Sequence, residues 1–181
     1  MTPLVLDGVA CVRGELLLFE ELSLTLEPGG AALVTGPNGV GKSSLLRIAA
    51  GLLRPSAGRV ETAGASLADG RAALDPELPL ARALAFWNTT DAGVLDDFGL
   101  TPLQDVPVRL LSTGQRQRAA LARTVMDGAS LWLLDEPANG LDTAALAVLE
   151  RHVARHRAQG GAVMLATHIP VAMPGAVGIA L

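Results

Sequence analysis

Gly36-Pro37-Asn38-Gly39-Val40-Gly41-Lys42-Ser43 is the stretch on which the fold turns. It stands between a short apolar run, Ala31-Ala32-Leu33-Val34-Thr35, and a segment in which Leu45, Leu46, Ile48, Ala49 and Leu52 recur at helical spacing. A glycine-rich turn from strand to helix lets backbone N–H groups point inward around an anion at the helix N-terminus. The spacing G-x4-G-K-S in that setting reads as a phosphate-binding loop. Lys42 would neutralise charge on the outer phosphates, and the Ser43 hydroxyl would coordinate Mg²⁺. The candidate nucleotide contacts are Gly36, Pro37, Asn38, Gly39, Val40, Gly41, Lys42, Ser43 and Ser44. Composition singles out the same position: of 14 basic residues only Lys42 is lysine, as expected where a compact ammonium is needed and a planar guanidinium would not fit.

Working outward, 181 residues suit one domain spanning 1–181 with a single core. Half the residues are hydrophobic, 3% are aromatic and none is tyrosine, so the core is aliphatic and disorder is excluded. A net charge of −4 gives no support for binding nucleic acid. With one cysteine, Cys11, neither an intrachain disulfide nor a cysteine-held metal is expected. The start of the chain lacks the basic and apolar regions of a signal peptide, which points to the cytoplasm. From Ala158 to Leu181 there is no charged side chain. Pro170, Pro174, His168 and the glycines there favour two buried strands with a loop between them over a membrane span.

The runs Leu4–Val12 and Phe19–Leu26, separated by Arg13-Gly14-Glu15, predict a hairpin. Leu80–Trp87, Asp91–Phe98 with Gly99 as C-cap, Thr113–Met126 and Thr143–Gln159 predict helices. Leu131–Leu134 and Ala162–Ala166 are apolar throughout and too short for helices, so they predict strands buried on both faces. Between Pro55 and Asp75 only Arg59–Thr62 has β character. The alternation of strands and helices is that of a parallel α/β sheet.

Asp135 and Glu136 close the run Leu131-Trp132-Leu133-Leu134, at the strand end where ligands bind in open α/β sheets. Asp135 suits Mg²⁺ through a water. Glu136 suits orientation of, or proton acceptance from, a water attacking the γ-phosphate. His152 and His156 have i, i+4 spacing, but Val153 stands between them and arginines surround them, so a solvated helix face is expected. Trp87, Trp132 and Cys11 read as packing residues.

Leu111-Ser112-Thr113-Gly114-Gln115 taken alone is a helix N-cap. Following the phosphate loop and preceding Asp135-Glu136, it resembles the signature of the ATP-binding cassette (ABC) ATPases, normally Leu-Ser-Gly-Gly-Gln. The resemblance implies an α/β fold of P-loop NTPase type: a mainly parallel sheet flanked by helices, an N-terminal antiparallel β part, and a small helical lobe over residues 76–126. It implies MgATP as the nucleotide and a second copy of the chain in a head-to-tail sandwich, where Ser112, Gly114 and Gln115 meet the γ-phosphate held by the other subunit. Ala138-Asn139-Gly140-Leu141-Asp142 resembles the family's D-loop, with an N-cap role for Asp142 as the alternative. Ala166-Thr167-His168 resembles the switch segment, so His168 joins Lys42 and Glu136 as a catalytic candidate.

Within that family, Leu84-Ala85-Phe86-Trp87, Asp105-Val106-Pro107-Val108-Arg109 and Gly160 to Pro170 are similar to haem-exporter ATP-binding subunits of c-type cytochrome maturation. That similarity implies a peripheral subunit on the cytoplasmic face of the bacterial inner membrane, beneath multispanning membrane partners. Another cargo (lipid, drug or ion) and an ATP-gated dimerising module with little turnover remain open, since cargo choice resides in membrane subunits. Two features depart from the family. No glutamine falls between Gly64 and Asp75, where the Q-loop glutamine belongs. No aromatic residue stands near Val12 and Arg13 to stack on adenine, which leaves Arg13 as the candidate through its guanidinium.

Overall fold

A computed structural model describes residues 2–70, 73–87, 92–168 and 171–181. Leu4–Arg13 (β1) and Leu16–Leu26 (β2) form an antiparallel hairpin that turns through Gly14 and Glu15. Ala57–Thr62 (β4) pairs antiparallel with the other edge of β1, giving the order β2-β1-β4. The second sheet is parallel and five-stranded: Ala65–Ala68 (β5), Leu131–Asp135 (β6), Ala162–Ala166 (β7), Ala31–Thr35 (β3) and Val177–Ala180 (β8), in that spatial order.

The apolar runs work as double-faced strands. Trp132 and Leu134 of β6 and Val163 and Leu165 of β7 point into one core, while Leu131, Leu133, Ala162, Met164 and Ala166 point into the other. The period of two along each strand divides them. The second core lies against Lys42–Ala49 (α1) and the antiparallel sheet. The first lies against Leu80–Ala85 (α2), Ala92–Asp97 (α3), Thr113–Met126 (α4) and Thr143–Ala158 (α5). Each fully buried leucine contributes on the order of 2 kcal/mol, so both faces must be covered for strands of this composition to stay in place.

Several expectations are corrected. The stretch 55–75 holds two strands in two different sheets. Arg59–Thr62 was visible through its β-branched Val60 and Thr62, whereas Ala65-Ser66-Leu67-Ala68 is too short and small to show a period. Of the two strands expected between Ala158 and Leu181, β7 is fully buried but β8 is a mostly exposed edge. Asp91, the expected start of α3, and Ile169-Pro170 of the segment after β7 lie outside the described residues. Among the described residues no helix is long and apolar enough to cross a membrane.

The histidines of α5 are not on a solvated face. His152 is 5% exposed, its Nε2 lies 2.9 Å from Asp97 Oδ2, and its ring stacks on Phe98 at 5.3 Å. His156 lies flat on Trp132, 3.9 Å between ring centres. Periodicity along α5 alone could not reveal this, because α3 and Trp132 of β6 cover that side. Trp132 and Cys11 are buried packing residues, as expected. Trp87 also carries a polar contact, from its Nε1 to Ala73 O at 3.1 Å.

β1 and β4 meet at a bulge, with the register broken between Asp7 and Ala10. A Cβ on Gly58 would stand 2.3 Å from Gly8 O and 2.4 Å from Asp7 O, both backbone atoms, and Gly58 has φ +80°. Gly58→Ala is therefore expected to lower stability by about 3 kcal/mol, within the range for strained backbone sites. Urea denaturation followed by circular dichroism measures it.

Candidate nucleotide site

β3 delivers the phosphate loop and α1 leaves it, so residues 36–41 turn between the end of a largely buried strand and a helix N-terminus. Gly36, Gly39 and Gly41 take φ of 142°, 85° and 123°. At Gly41 the reason is also steric: a Cβ would lie 3.1 Å from Leu18 Cβ and 3.2 Å from the Phe19 ring. The loop is thus seated against β2, and a pocket of about 200 Å³ opens there. It is lined by Leu18, Asn38, Gly39, Gly41, Lys42, Ser43, Ser44, Asp135 and Glu136.

Lys42 is 6% exposed. A buried ammonium is costly unless it is paired and hydrogen-bonded. Here Nζ donates to Gly36 O at 2.8 Å and Pro37 O at 3.2 Å, and Glu136 Oε1 lies 3.9 Å away. Glu136 follows the last residue of β6 with φ +48°, a left-handed conformation that costs a non-glycine residue about 1–2 kcal/mol. Its neighbours hold it there. Its N–H donates to Ala166 O at 2.7 Å, and its Oε2 accepts from the His168 N–H at 3.3 Å and lies 2.9 Å from His168 Nδ1. Lys42, Glu136 and His168, taken from three separate stretches of sequence, form one chain of contacts.

Burial pushes the Asp135 carboxyl above its ordinary value, and the charges of Glu136 and Asp69 push the same way; the Ser43 hydroxyl bond and Arg47 pull it back. A hydroxyl bonded to a partly buried carboxylate is an oxygen donor set of the kind Mg²⁺ prefers, and the local excess of negative charge fits a cation. Ser43 and Asp135 are the residues that would hold it.

The remaining candidates lie elsewhere. Ser112 caps α4 in a reciprocal box: its Oγ accepts from the Gln115 N–H at 3.2 Å, while Gln115 Oε1 accepts from the Ser112 N–H at 2.7 Å. A Cβ on Gly114 would lie 3.2 Å from Gly140 O, so the start of α4 and the turn before α5 touch within one chain. Asp142 caps α5, its Oδ1 accepting from the Ala145 N–H at 2.8 Å. None of Ser112, Gly114 and Gln115 lines the pocket beside Lys42, and neither does Arg13, which is exposed at the hairpin end. Leu18 does line it and was missed. The signal was the apolar run Leu16-Leu17-Leu18-Phe19, which breaks the alternation of β2. A larger cavity of about 550 Å³, lined in part by Trp132, His152, His156 and Gly160, shares no residue with the phosphate loop.

The family described as ABC transporter matches residues 19–139. The chain belongs to the ABC transporter family. Its relatives define the branch. It is 58% identical to "Cytochrome c biogenesis ATP-binding export protein CcmA" of Sphingopyxis alaskensis, over 94% of this chain and 92% of that one. It is 54% identical to the protein of the same name from Novosphingobium aromaticivorans, over 94% and 91%. Solved structures agree on the fold. "Structure of ATP binding subunit of ABC transporter" superposes with a TM-score of 0.85 at 21% identity, covering 93% of this chain and 80% of that one. A nucleotide-free ATP-binding cassette from an ABC transporter gives 0.72 at 20%, covering 93% and 82%.

The raised Asp135 yields a stability prediction. A carboxyl whose folded pKa lies above its unfolded value is destabilising when ionised, so the penalty is present above the folded pKa and vanishes as the pH falls below the unfolded one. Asp135→Asn is therefore expected to melt several degrees higher than the parent at neutral pH without nucleotide, the gap closing on acidification. Differential scanning calorimetry across pH checks it.

Proposed function

We propose that this chain hydrolyses ATP to ADP and phosphate within an exporter complex that powers haem handling for c-type cytochrome biogenesis. The observation that carries the chemistry is the contact chain from Lys42 through Glu136 to His168 beside the phosphate loop. The relatives' shared name supports the export role in cytochrome c biogenesis. Lys42 would exchange its carbonyl partners for the phosphates. Glu136, its carboxylate fixed by His168, would orient the attacking water and accept its proton. His168, in contact with Glu136, would report the presence of the γ-phosphate. Mg²⁺, held by Ser43 and through water by Asp135, would offset phosphate charge.

In this reading residues 1–181 act as one cassette, with 76–126 as its helical lobe. Two copies close on two nucleotides, Ser112, Gly114 and Gln115 of each facing the other's phosphate loop. The position of the signature away from its own pocket supports that arrangement. The assembly sits on the cytoplasmic face of the inner membrane against multispanning subunits, and Arg13, at the hairpin end, would stack on the base through its guanidinium.

Lys42→Ala is expected to abolish binding of a fluorescent ATP analogue. Glu136→Gln should keep binding and lose hydrolysis by about 10²–10⁴-fold, the usual contribution of a positioned base. A phosphate-release assay that finds normal turnover in either variant overturns the mechanism. Covalent-haem staining of a deletion strain tests the cargo: stained cytochromes should vanish and return with the parent gene but not with Lys42→Ala. Undiminished staining in the deletion strain would remove the haem role.

A further inference from the structure

Asp69 is none of the candidate site residues named above, yet it sits at the edge of the nucleotide site. β5 runs beside β6 with Ala68 opposite Leu134, so the next residue, Asp69, follows at the strand end next to Asp135. The Asp69 side chain is 10% exposed, and its Oδ2 lies 2.9 Å from Arg47 Nη2. Arg47 belongs to α1, the helix that opens with Lys42 and Ser43. Its charge also acts on the Asp135 carboxylate.

The segment carrying Asp69 is fastened on both sides. Arg123 of α4, 4% exposed, donates from Nη2 to Leu67 O, and its guanidinium lies 4.7 Å from the centre of the Trp87 ring. Trp87 Nε1 in turn donates to Ala73 O at 3.1 Å. A cation on an aromatic face, with each group gripping a backbone carbonyl, thus ties down Leu67 and Ala73, one on each side of Asp69 in sequence.

Resting on the ATP-hydrolysing reading above, we propose that Asp69 is a positioning residue that holds the Arg47 guanidinium away from Asp135, so that the Asp135 carboxylate remains available to the nucleotide's divalent cation. Without Asp69, Arg47 is released beside a partly buried carboxylate and pairs with it, in competition with the metal. The arginine is the agent of the damage, so removing it as well should repair the site. A purely structural ion pair is told apart by the nucleotide itself, because its loss would loosen α1 and weaken metal-free ATP binding along with metal binding.

The test uses the full chain carrying Glu136→Gln, loaded with ATP, and reads Mn²⁺ binding by electron paramagnetic resonance. Asp69→Asn is expected to weaken Mn²⁺ binding about tenfold, the scale of one charge-assisted contact, with ATP affinity in the absence of metal unchanged. Asp69→Asn combined with Arg47→Gln should return Mn²⁺ binding to within about twofold of the parent. Asp69→Glu, which keeps the ion pair, should match the parent. Unchanged Mn²⁺ binding in Asp69→Asn, or a double variant as weak as the single one, overturns the proposal. A parent that takes up neither ATP nor Mn²⁺ overturns the reading of the preceding subsection and this one with it.

Discussion

The burial of one ammonium governs the site. Lys42 has almost no access to water, and a cation so placed must be surrounded by fixed oxygen atoms. Two of these are carbonyls of its own loop, which reach it because the glycines let the backbone curl over it. The third partner, Glu136, comes from the end of β6 and is held in a left-handed conformation by Ala166 and His168. Strands β3, β6 and β7 therefore converge on a charge set by one residue. The strain at Glu136 is carried where its side chain meets the cation, the usual location for such strain in a protein.

Around the lysine lies a second level of charge. Asp69, Asp135 and Glu136 gather at the ends of two neighbouring strands, and Lys42 and Arg47, both from α1, oppose them. The Asp135 carboxyl stands above its ordinary value, first because it is partly buried and then because Glu136 and Asp69 add negative charge beside it.

Much of this was legible in the sequence because it depends on short-range patterns. The phosphate loop, the apolar β6 and β7 and the capped helix α4 each declare themselves within a few residues, and together they define the parallel sheet. What the sequence hid depends on packing between distant segments. β5 is four small residues that become a strand only beside β6. His152 and His156 look solvated along α5, but α3 and Trp132 cover them. Leu18 enters the pocket because the hairpin folds over Gly41. In each case the missing information is which element lies alongside, and no local period records it.

β3, which carries the phosphate loop, is flanked by β7 on one side and β8 on the other. Both neighbours come from the last fifth of the chain, so as the protein leaves the ribosome the loop's strand has no sheet to join until residues 162–180 have emerged. Closing contacts across so long a separation is slow. The nucleotide site is consequently among the last parts of the molecule to assemble, and a chain interrupted before β7 would retain the motif while lacking the scaffold that shapes it.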